Sequence, residues 1–576
     1  MASNRGVLNT LDCYQKDKIN FLQGVHNHTL TKDMSIIQLL ELNVMDELIP
    51  LLLDNTPHVQ NLAVMTAARL CGSSQAIAEN ILENKVLKFI ASVFDCEWNE
   101  FRRNGLQLVN NIGKYAALTP ELLTQAGPML KSSIHDLDTV QRELTLTALT
   151  QIVNHSVCNA VLVMELQLLP HMLLCLQQSF SLALKCTNLI KALCMQSIDI
   201  AATLLDNGVL KFLAENLNNT DTKFVKQILI YKGIKGIFSC LAEIAKLSEE
   251  FAQNVLNTRP ILCKAILCLS HCDDSVKKCA AGLLGELSRH HEEICRTIIQ
   301  HGALIGLVNM VRDTSGMVRL PAVLTLGYMG AKDTWGQTMG AKSDHLALAI
   351  IHTNGLKEII NALDNESNQD CLSAIVWTLE QLTKHSARHV SFLNTDTNVF
   401  SKLVKIYTSP ESSQEVKCRC LSALQNTINK CLRLQDIDLL LCDSPPEIIL
   451  LVLKQLSKIF AIDLKARKDF LSTGGLKTVQ ALNHPNNTEL CKAICEVNTY
   501  FPEKALLYYS MDMADCFVKK AIYEFTPQFP DAMSDECAPD RSSISSFDLD
   551  PPFTCETPCL ESCVHGKISL IMLTFC

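Results

Sequence analysis

A turn-like motif recurs along the first half of the chain at a nearly constant interval. An apolar run follows it each time, and its four members are Lys85, Gly127, Gln167 and Gly208. The gaps between them are 42, 40 and 41 residues. A fixed period of this size is typical of a solenoid, in which one small group of helices repeats and stacks side by side. The period therefore disfavours most enzyme folds.

A second landmark gives the same period. It is the residue that ends the apolar helix ahead of each inter-helix loop: Leu53, Phe94, Ile134, Leu176, Leu217, Leu269, Val311, Leu363 and Tyr407. The spacings are 41, 40, 42, 41, 52, 42, 52 and 44 residues, which indicates armadillo or HEAT units. Two intervals are about ten residues too long, near 230–239 and 333–342, and each is expected to lengthen one helix or loop.

The sequence predicts an all-α, armadillo-type α-solenoid that forms a right-handed superhelix. About nine repeats are expected over residues 39–430. A helical cap is expected at 1–38, a helical C-terminal module at 431–525 and a disordered tail at 526–576, where Pro, Ser, Asp and Cys are frequent.

Composition and local patterns agree with this fold. Apolar residues make up 48% of the chain and charged residues 19%, and nothing reads as a strand. The last helix of a repeat carries apolar residues at i, i+4 and i+7, for example Leu108, Ile112 and Tyr115, Ala280, Leu284 and Leu287, and Ile375, Leu379 and Leu382. Glycine enters a left-handed turn without steric penalty, which predicts helix-ending turns at Gly127, Gly208, Gly302 and Gly355.

The net charge is −9, from 51 basic and 60 acidic residues. This balance argues against a generic binder of nucleic acid or anionic membrane, which would need a basic surplus. Local basic clusters occur at Lys277 and Lys278, at Lys417 and Arg419, and at Lys465, Arg467 and Lys468. They are interpreted as solvated helix faces, with contact to an acidic partner such as a microtubule surface as the alternative.

The chain has 26 cysteines but opens without an apolar signal stretch, and no window is long enough to cross a bilayer. We therefore expect an intracellular protein with reduced thiols and no membrane contact. Two groups could be read as metal ligands: Cys268, His271 and Cys272, and Cys555, Cys559, Cys563 and His565. The first lacks a paired second cluster and is interpreted as core packing, and the second has no evident scaffold, so no metal site is predicted.

Catalytic motifs are missing from the sequence. It contains no phosphate-binding glycine loop, no H-E-x-x-H and no G-x-S-x-G. His155, His290 and His385 recur at the ends of last helices, which indicates a shared role in capping or packing. We expect a protein that is not an enzyme and needs no cofactor.

A solenoid offers a long groove lined by successive last helices to extended or helical partners. We expect Asn110, Asn111, Asn154 and Trp377 to face or border this groove. The alternative for Trp377 is that its ring fills the seam between neighbouring repeats.

Particular segments resemble one family. Those in the N-terminal cap and the repeats are Tyr14-Gln15-Lys16, Leu51-Leu52-Leu53-Asp54, Thr119-Pro120-Glu121-Leu122, Arg319-Leu320-Pro321 with Gly327-Tyr328, and His385-Ser386 after the helix bearing Trp377. Those beyond the repeats are Asp443-Ser444-Pro445-Pro446, Lys465-Ala466-Arg467-Lys468, Gly474-Gly475-Leu476-Lys477, Phe501-Pro502-Glu503 and Tyr508-Tyr509-Ser510. From about residue 7 to about residue 525 the chain resembles the armadillo-repeat proteins of the axonemal central apparatus, known in animals as sperm-associated antigen six and in green algae as a central-pair component.

The resemblance implies a structural protein of the axoneme of motile 9+2 cilia or flagella, a part of the cytoskeleton. Its implied partners are central-pair proteins, with microtubules as a further candidate, and its implied role is to support central-pair integrity and cell motility. The sequence departs from the family at the two insertions, at pairs such as Gln196-Ser197 and Lys246-Leu247 that replace His-Ser, and in the tail beyond about residue 526.

The alternative function is that of a cytoplasmic armadillo adaptor in transport, signalling or axonemal assembly. A nuclear-import receptor would repeat Trp and Asn one helical turn apart, whereas this chain has three tryptophans. The closing apolar run 568–576 is interpreted as a docking peptide or a mis-annotated terminus.

Overall fold

The computed structural model describes residues 2–29, 42–95, 97–218, 227–332, 346–393, 398–482 and 487–510. Within these ranges the regular structure is helical and no strand is present. The chain forms two compact units, Met1–His290 and His291–Cys576. The predicted tail, the insertion near 333–342 and the cysteines at 555, 559 and 563 with His565 lie outside the described residues.

The first unit repeats a group of three helices. Its helices are α1 (Ala2–His28), α2 (Val44–Leu52), α3 (Pro57–Ser73), α4 (Gln75–Glu83), α5 (Val86–Ser92), α6 (Asn99–Ile112), α7 (Thr119–Ile134), α8 (Thr139–His155), α9 (Val157–Glu165), α10 (Leu169–Gln178), α11 (Phe180–Gln196), α12 (Ile198–Asp206), α13 (Val209–Asn218), α14 (Gln227–Leu247), α15 (Glu249–Asn257), α16 (Ile261–Cys268) and α17 (Asp274–Ser288). A short first helix, a second helix and a longer last helix make up each group, except where α7 replaces the first two with one helix.

The second unit continues the same order of helices. Its helices are α18 (Glu292–Gln300), α19 (Ala303–Asp313), α20 (Gly316–Ala331), α21 (Leu346–His352), α22 (Gly355–Asn365), α23 (Gln369–Thr383), α24 (Ala387–Ser391), α25 (Val399–Thr408), α26 (Gln414–Ile428), α27 (Leu434–Ile437), α28 (Leu440–Asp443), α29 (Pro446–Ile462), α30 (Leu464–Ser472), α31 (Gly475–Ala481), α32 (Thr488–Asn498) and α33 (Glu503–Ser510). The described part of the predicted C-terminal module is helical, and the domain boundaries stay predictions.

The helix ends agree with the second landmark. The second helices end at Leu52, Ser92, Ile134, Gln178, Asn218, Cys268, Asp313, Asn365 and Thr408, each within two residues of the predicted position. Last helices pack directly on the last helices of neighbouring repeats, as α3 does on α6 and α20 on α23. Each unit is therefore built around a continuous layer of last helices, and the all-α solenoid prediction is confirmed.

A left-handed residue separates the first and second helices of most described repeats. Lys85, Gln167 and Gly208 have φ angles of 55°, 56° and 77°, so three of the four predicted turns are confirmed. Asn43, Gly302, Asn354 and Gly474 adopt the same conformation at the same place in their repeats. The reversal of chain direction requires this conformation whichever side chain is present.

The predicted turn at Gly127 is wrong, because Gly127 lies inside the continuous helix α7. Pro128 follows it, and a proline usually disfavours helical conformation at the preceding residue by clashing with its Cβ. Glycine has no Cβ, which relieves that clash, so two helices of the repeat fuse into one. The turn predicted at Gly355 is displaced by one residue: Asn354 has the left-handed φ of 63° and Gly355 begins α22.

Short polar side chains start the first helices of several repeats. Ser156, Ser197 and Ser248 precede α9, α12 and α15, and each side chain accepts a hydrogen bond from a backbone N–H of the first turn. Such caps satisfy amides that have no partner within the helix. Because Ser248 occupies the capping position, the pair matching His155-Ser156 is Leu247-Ser248, and the alignment of Lys246-Leu247 with His-Ser is wrong by one residue.

The long interval near 230–239 contains no separate loop, because these residues lie inside α14. This helix has 21 residues, whereas α8 and α11 have 17 each. Part of the extra length is therefore about one additional turn of a last helix.

Candidate functional site

Successive last helices are joined at their C-terminal ends by side-chain hydrogen bonds. His155 Nε2 donates to the carbonyl oxygen of Gly113 at 2.8 Å, His290 Nε2 to that of Ala245 at 2.6 Å, and His385 Nε2 to that of Gly330 at 2.8 Å. Each acceptor lies at the end of the preceding last helix, where carbonyls lack a helical partner. The predicted capping role of the three histidines is confirmed.

Other residue types make the same contact in other repeats. Tyr115 Oη donates to the Cys71 carbonyl at 2.8 Å and Lys430 Nζ to the His385 carbonyl at 3.3 Å. Tyr115 lies beyond the end of α6, so it contributes this hydrogen bond rather than extending the helix. The contact therefore requires only a long side chain with a hydrogen-bond donor. Its role is to hold neighbouring repeats together.

The solvent-facing stripe of the last helices is the candidate interaction surface, and we call it the last-helix face. On α11 it comprises residues spaced three or four apart that are exposed or half-exposed: Leu184, Lys185, Asn188, Lys191 and Met195. On α14 the corresponding residues include Lys232, Lys235, Glu243 and Lys246. The two stripes adjoin, because Lys191 Nζ donates to Ser239 Oγ at 2.6 Å.

The predicted groove residues take different positions. Asn154 is exposed on the last-helix face. Asn110 and Asn111 are buried, and Asn111 Nδ2 donates to the Ala68 carbonyl at 2.6 Å. Asn111 therefore connects neighbouring repeats and is not open to a partner, a role that the sequence pattern of paired asparagines did not reveal.

Trp377 fills the seam between two repeats of the second unit. Its ring packs against the Tyr328 ring of α20, with 5.2 Å between centroids, and lies over Gly327. A Cβ at Gly327 would come within 2.3 Å of the Trp377 ring. The ring is half-buried, so one edge still borders the last-helix face.

The thiol cluster predicted to be core packing lies at the surface. Cys268 is half-exposed and Cys272 is exposed, so the packing interpretation is wrong for Cys272, which follows the end of α16 in a loop. Its Sγ lies 3.4 Å from Tyr231 Oη and 3.9 Å from His271 Nδ1. No group of three or more His, Cys, Asp or Glu able to hold a metal ion occurs among the described residues.

Several other cysteines are buried in the repeats. Burial raises the pKa of Cys194 and of Cys420 to about 12 each. A thiol of this kind stays protonated near neutral pH and behaves as a small apolar side chain.

Within the described ranges, no single helix is both long and apolar enough to cross a bilayer. Two pairs of consecutive helices that are bent against each other have the length and apolar composition of a membrane span, and no other feature of the described residues indicates one. They are Val157–Glu165 with Leu169–Gln178, and Glu292–Gln300 with Ala303–Asp313.

The stacked three-helix repeats and the layer of last helices define an armadillo-type α-solenoid. No family model matches the chain. The crystal structure of an engineered protein aligns with 80% of this chain and 98% of its own, with a TM-score of 0.58 and 16% sequence identity, a likeness that concerns the fold alone. A designed armadillo repeat protein aligns with 44% of this chain at 18% identity, with a TM-score of 0.38.

The chain is an armadillo-type solenoid that is similar, over part of its length, to sperm-associated antigen 6. It is 33% identical to the mouse protein and 32% identical to the human protein over 158 residues. The aligned stretch covers 27% of this chain and 31% of each relative, so it spans about a third of the relatives' length.

Proposed function

We propose that the chain is a non-enzymatic scaffold of the central apparatus of motile 9+2 cilia or flagella. In this role it binds axonemal central-pair proteins and supports central-pair integrity and beating. The observation that carries the proposal is the similarity of the chain to sperm-associated antigen 6. The sequence segments that resemble the central-apparatus family support it. The repeat stack supports it as well, because solenoids act by presenting extended binding surfaces.

The geometry of the last helices fits a binding role better than a chemical one. Hydrogen bonds between neighbouring last helices, such as His155 to Gly113 and Asn111 to Ala68, fix one repeat against the next. This leaves the last-helix face as a surface whose helix backbones are already held in place. A preorganised surface lowers the entropy lost when a partner binds.

The test is the location of a tagged copy in cells that bear motile flagella, followed by detergent extraction. We expect the protein to stay with the extracted axoneme, and its depletion to impair beating without abolishing assembly of the outer microtubules. Complete release by detergent would contradict the scaffold role and support a cytoplasmic assembly factor. Tubulin pelleting with purified protein then distinguishes direct microtubule contact from contact through other central-pair proteins.

A further inference from the structure

The charges of the first unit are divided between two kinds of helix. The last helices α3, α6, α8, α11, α14 and α17 contain eleven Lys and Arg but five Asp and Glu. The first and second helices of the same repeats, α2, α4, α5, α7, α9, α10, α12, α13, α15 and α16, contain four Lys and Arg but eleven Asp and Glu. The layer of last helices is thus basic within a protein whose net charge is −9.

The excess is largest on two neighbouring last helices. Together α11 and α14 carry Lys185, Lys191, Lys232, Lys235 and Lys246, and their one acidic residue is Glu243. All five lysines belong to the last-helix face, because each is exposed or half-exposed at helical spacing. The positive charge is therefore concentrated on the surface that the fold offers to partners.

Three of these lysines are not used to hold the repeats together. Lys191 donates to Ser239, and Lys246 lies 3.9 Å from Glu243. Lys185, Lys232 and Lys235 form no ion pair or side-chain hydrogen bond with any described residue. Their ammonium groups are available to a ligand.

We propose that this part of the last-helix face binds an extended, acidic protein segment, an inference that rests on the proposed scaffold function and specifies the chemistry of one partner. The lysines of α11 and those of α14 form two adjacent rows. Both rows can pair with the carboxylates of one extended peptide that crosses the two helices. The exposed amide of Asn188, between Lys185 and Lys191, can bond to the peptide backbone.

A nucleic acid fits this surface less well. Between Leu184 and Lys246, the described parts of α11 and α14 carry one half-exposed aromatic side chain, Tyr231, since Phe238 is fully buried. The Tyr231 ring already packs edge-on against His271, with 4.7 Å between centroids, and its hydroxyl lies 3.4 Å from Cys272 Sγ, so it does not form a row of rings on which successive bases could stack. The acidic first and second helices on the other side of each repeat would also repel a polyanion wide enough to reach them. An acidic peptide is narrow enough to contact the lysines alone.

The experiment measures binding of a labelled peptide of alternating glutamate and serine to the full-length protein by fluorescence anisotropy. A peptide with glutamine in place of glutamate serves as the ligand control. The test variant is K185E/K232E/K235E, and the matched control is K88E/K131E/K211E, which changes net charge equally at exposed lysines of α5, α7 and α13, outside the last helices. We expect at least about a tenfold loss of affinity in the test variant, little change in the control, and weaker binding as salt rises.

Carbodiimide coupling of the wild-type protein to the same peptide gives a second readout that needs no variant. We expect coupled lysines to be those of α11 and α14. Equal weakening by both variants, equal binding of the glutamine peptide, or tighter binding of a single-stranded oligonucleotide would overturn the proposal. Peptide binding by a protein that is absent from flagella would instead refute the scaffold function and leave this inference standing.

Discussion

A single glycine sets how closely two repeats of the second unit approach. Gly327 lies in α20 directly beneath the ring of Trp377, and a Cβ there would also come within 2.6 Å of Thr378 Oγ1. Thr378 in turn donates to the Val323 carbonyl at 3.0 Å, so neither neighbour can move freely. The absence of a side chain at Gly327 is therefore what allows the ring to fill the seam.

Gly327→Ala is expected to destabilise the protein by about 1–3 kcal/mol, because the added methyl group overpacks the seam. Thermal or urea unfolding measures the loss. Gly24→Ala is the matched control, since Gly24 also lies within a helix but has no atom within 4 Å of the added Cβ. Alanine there should be neutral or stabilising by up to about 1 kcal/mol. Equal effects of the two changes would contradict the proposed seam contact.

At the scale of one element, the turn between first and second helices is defined by backbone conformation. Lys85 and Gly208 have φ angles of 55° and 77° in equivalent turns, yet their side chains have nothing in common. A left-handed conformation disfavours a residue with a Cβ by roughly 1–2 kcal/mol, and glycine is free of that penalty.

Opposite substitutions in these two turns should have opposite effects. Gly208→Ala is expected to destabilise the protein by about 1 kcal/mol, although no atom lies within 4 Å of the new Cβ. Lys85→Gly should be neutral or stabilising by up to about 1 kcal/mol, because relief of strain exceeds the entropy that glycine loses on folding. Urea unfolding midpoints of the two variants measure the difference, and the same sign for both would contradict it.

A buried ion pair connects α20 to the loop before α23. Arg319 Nη1 lies 3.1 Å from Glu366 Oε2, and both side chains are buried. Burial of the carboxyl group favours its protonated form, but hydrogen bonds from the Asn368 and Gly316 backbone amides and the charge of Arg319 outweigh it. The pKa of Glu366 is consequently below its ordinary value of 4.5.

Glu366→Gln should destabilise the protein by about 3–5 kcal/mol at pH 7, because Arg319 is left buried without its counter-charge. The contribution of the ionised carboxyl is complete above the pKa of the unfolded chain and is lost as pH falls through the lower folded pKa. The stability difference between wild type and variant should therefore narrow below about pH 4.5. Urea unfolding from pH 7 to pH 3 measures it, and a difference that is constant with pH would contradict the assignment.

The helices and their order could be predicted from the sequence because a repeated pattern averages over local exceptions. The second landmark placed every second-helix end within two residues. The turn at Gly127 was predicted wrongly because glycine favours a left-handed turn, whereas here its missing Cβ lets the helix α7 continue into Pro128. The residues open to a partner were harder to predict. Burial of Asn111 and partial burial of Trp377 depend on contacts with the neighbouring repeat, at Ala68 and Tyr328 respectively, which are distant along the sequence.

At the scale of the whole molecule, stability within a unit should depend on contacts between neighbouring repeats. In a solenoid each repeat contacts its nearest neighbours, so a local defect weakens the adjoining repeats first. Leu149 lies in α8 and is fully buried, and α8 packs on α6 and α11.

Leu149→Ala should cost about 2–5 kcal/mol through loss of burial and a residual cavity. Relative to wild type, the substitution should accelerate hydrogen exchange more in α6, α8 and α11 than in α2, which belongs to a more distant repeat. Hydrogen exchange with mass spectrometry resolves these segments, and Thr150→Ala at a half-exposed position of the same helix is the control. Uniform acceleration over the whole unit would instead indicate all-or-none unfolding.

In several repeats a carbonyl at the end of the last helix accepts a hydrogen bond from a side chain of the next repeat, and that side chain is a histidine, a tyrosine or a lysine. This hydrogen bond between repeats requires a side chain that is long enough and carries a donor, but it does not require one residue type. A repeat can therefore be exchanged for another that ends in a suitable donor. Gene segments encoding single repeats could thus be duplicated or lost without rewriting their neighbours, so length in such proteins can evolve faster than sequence.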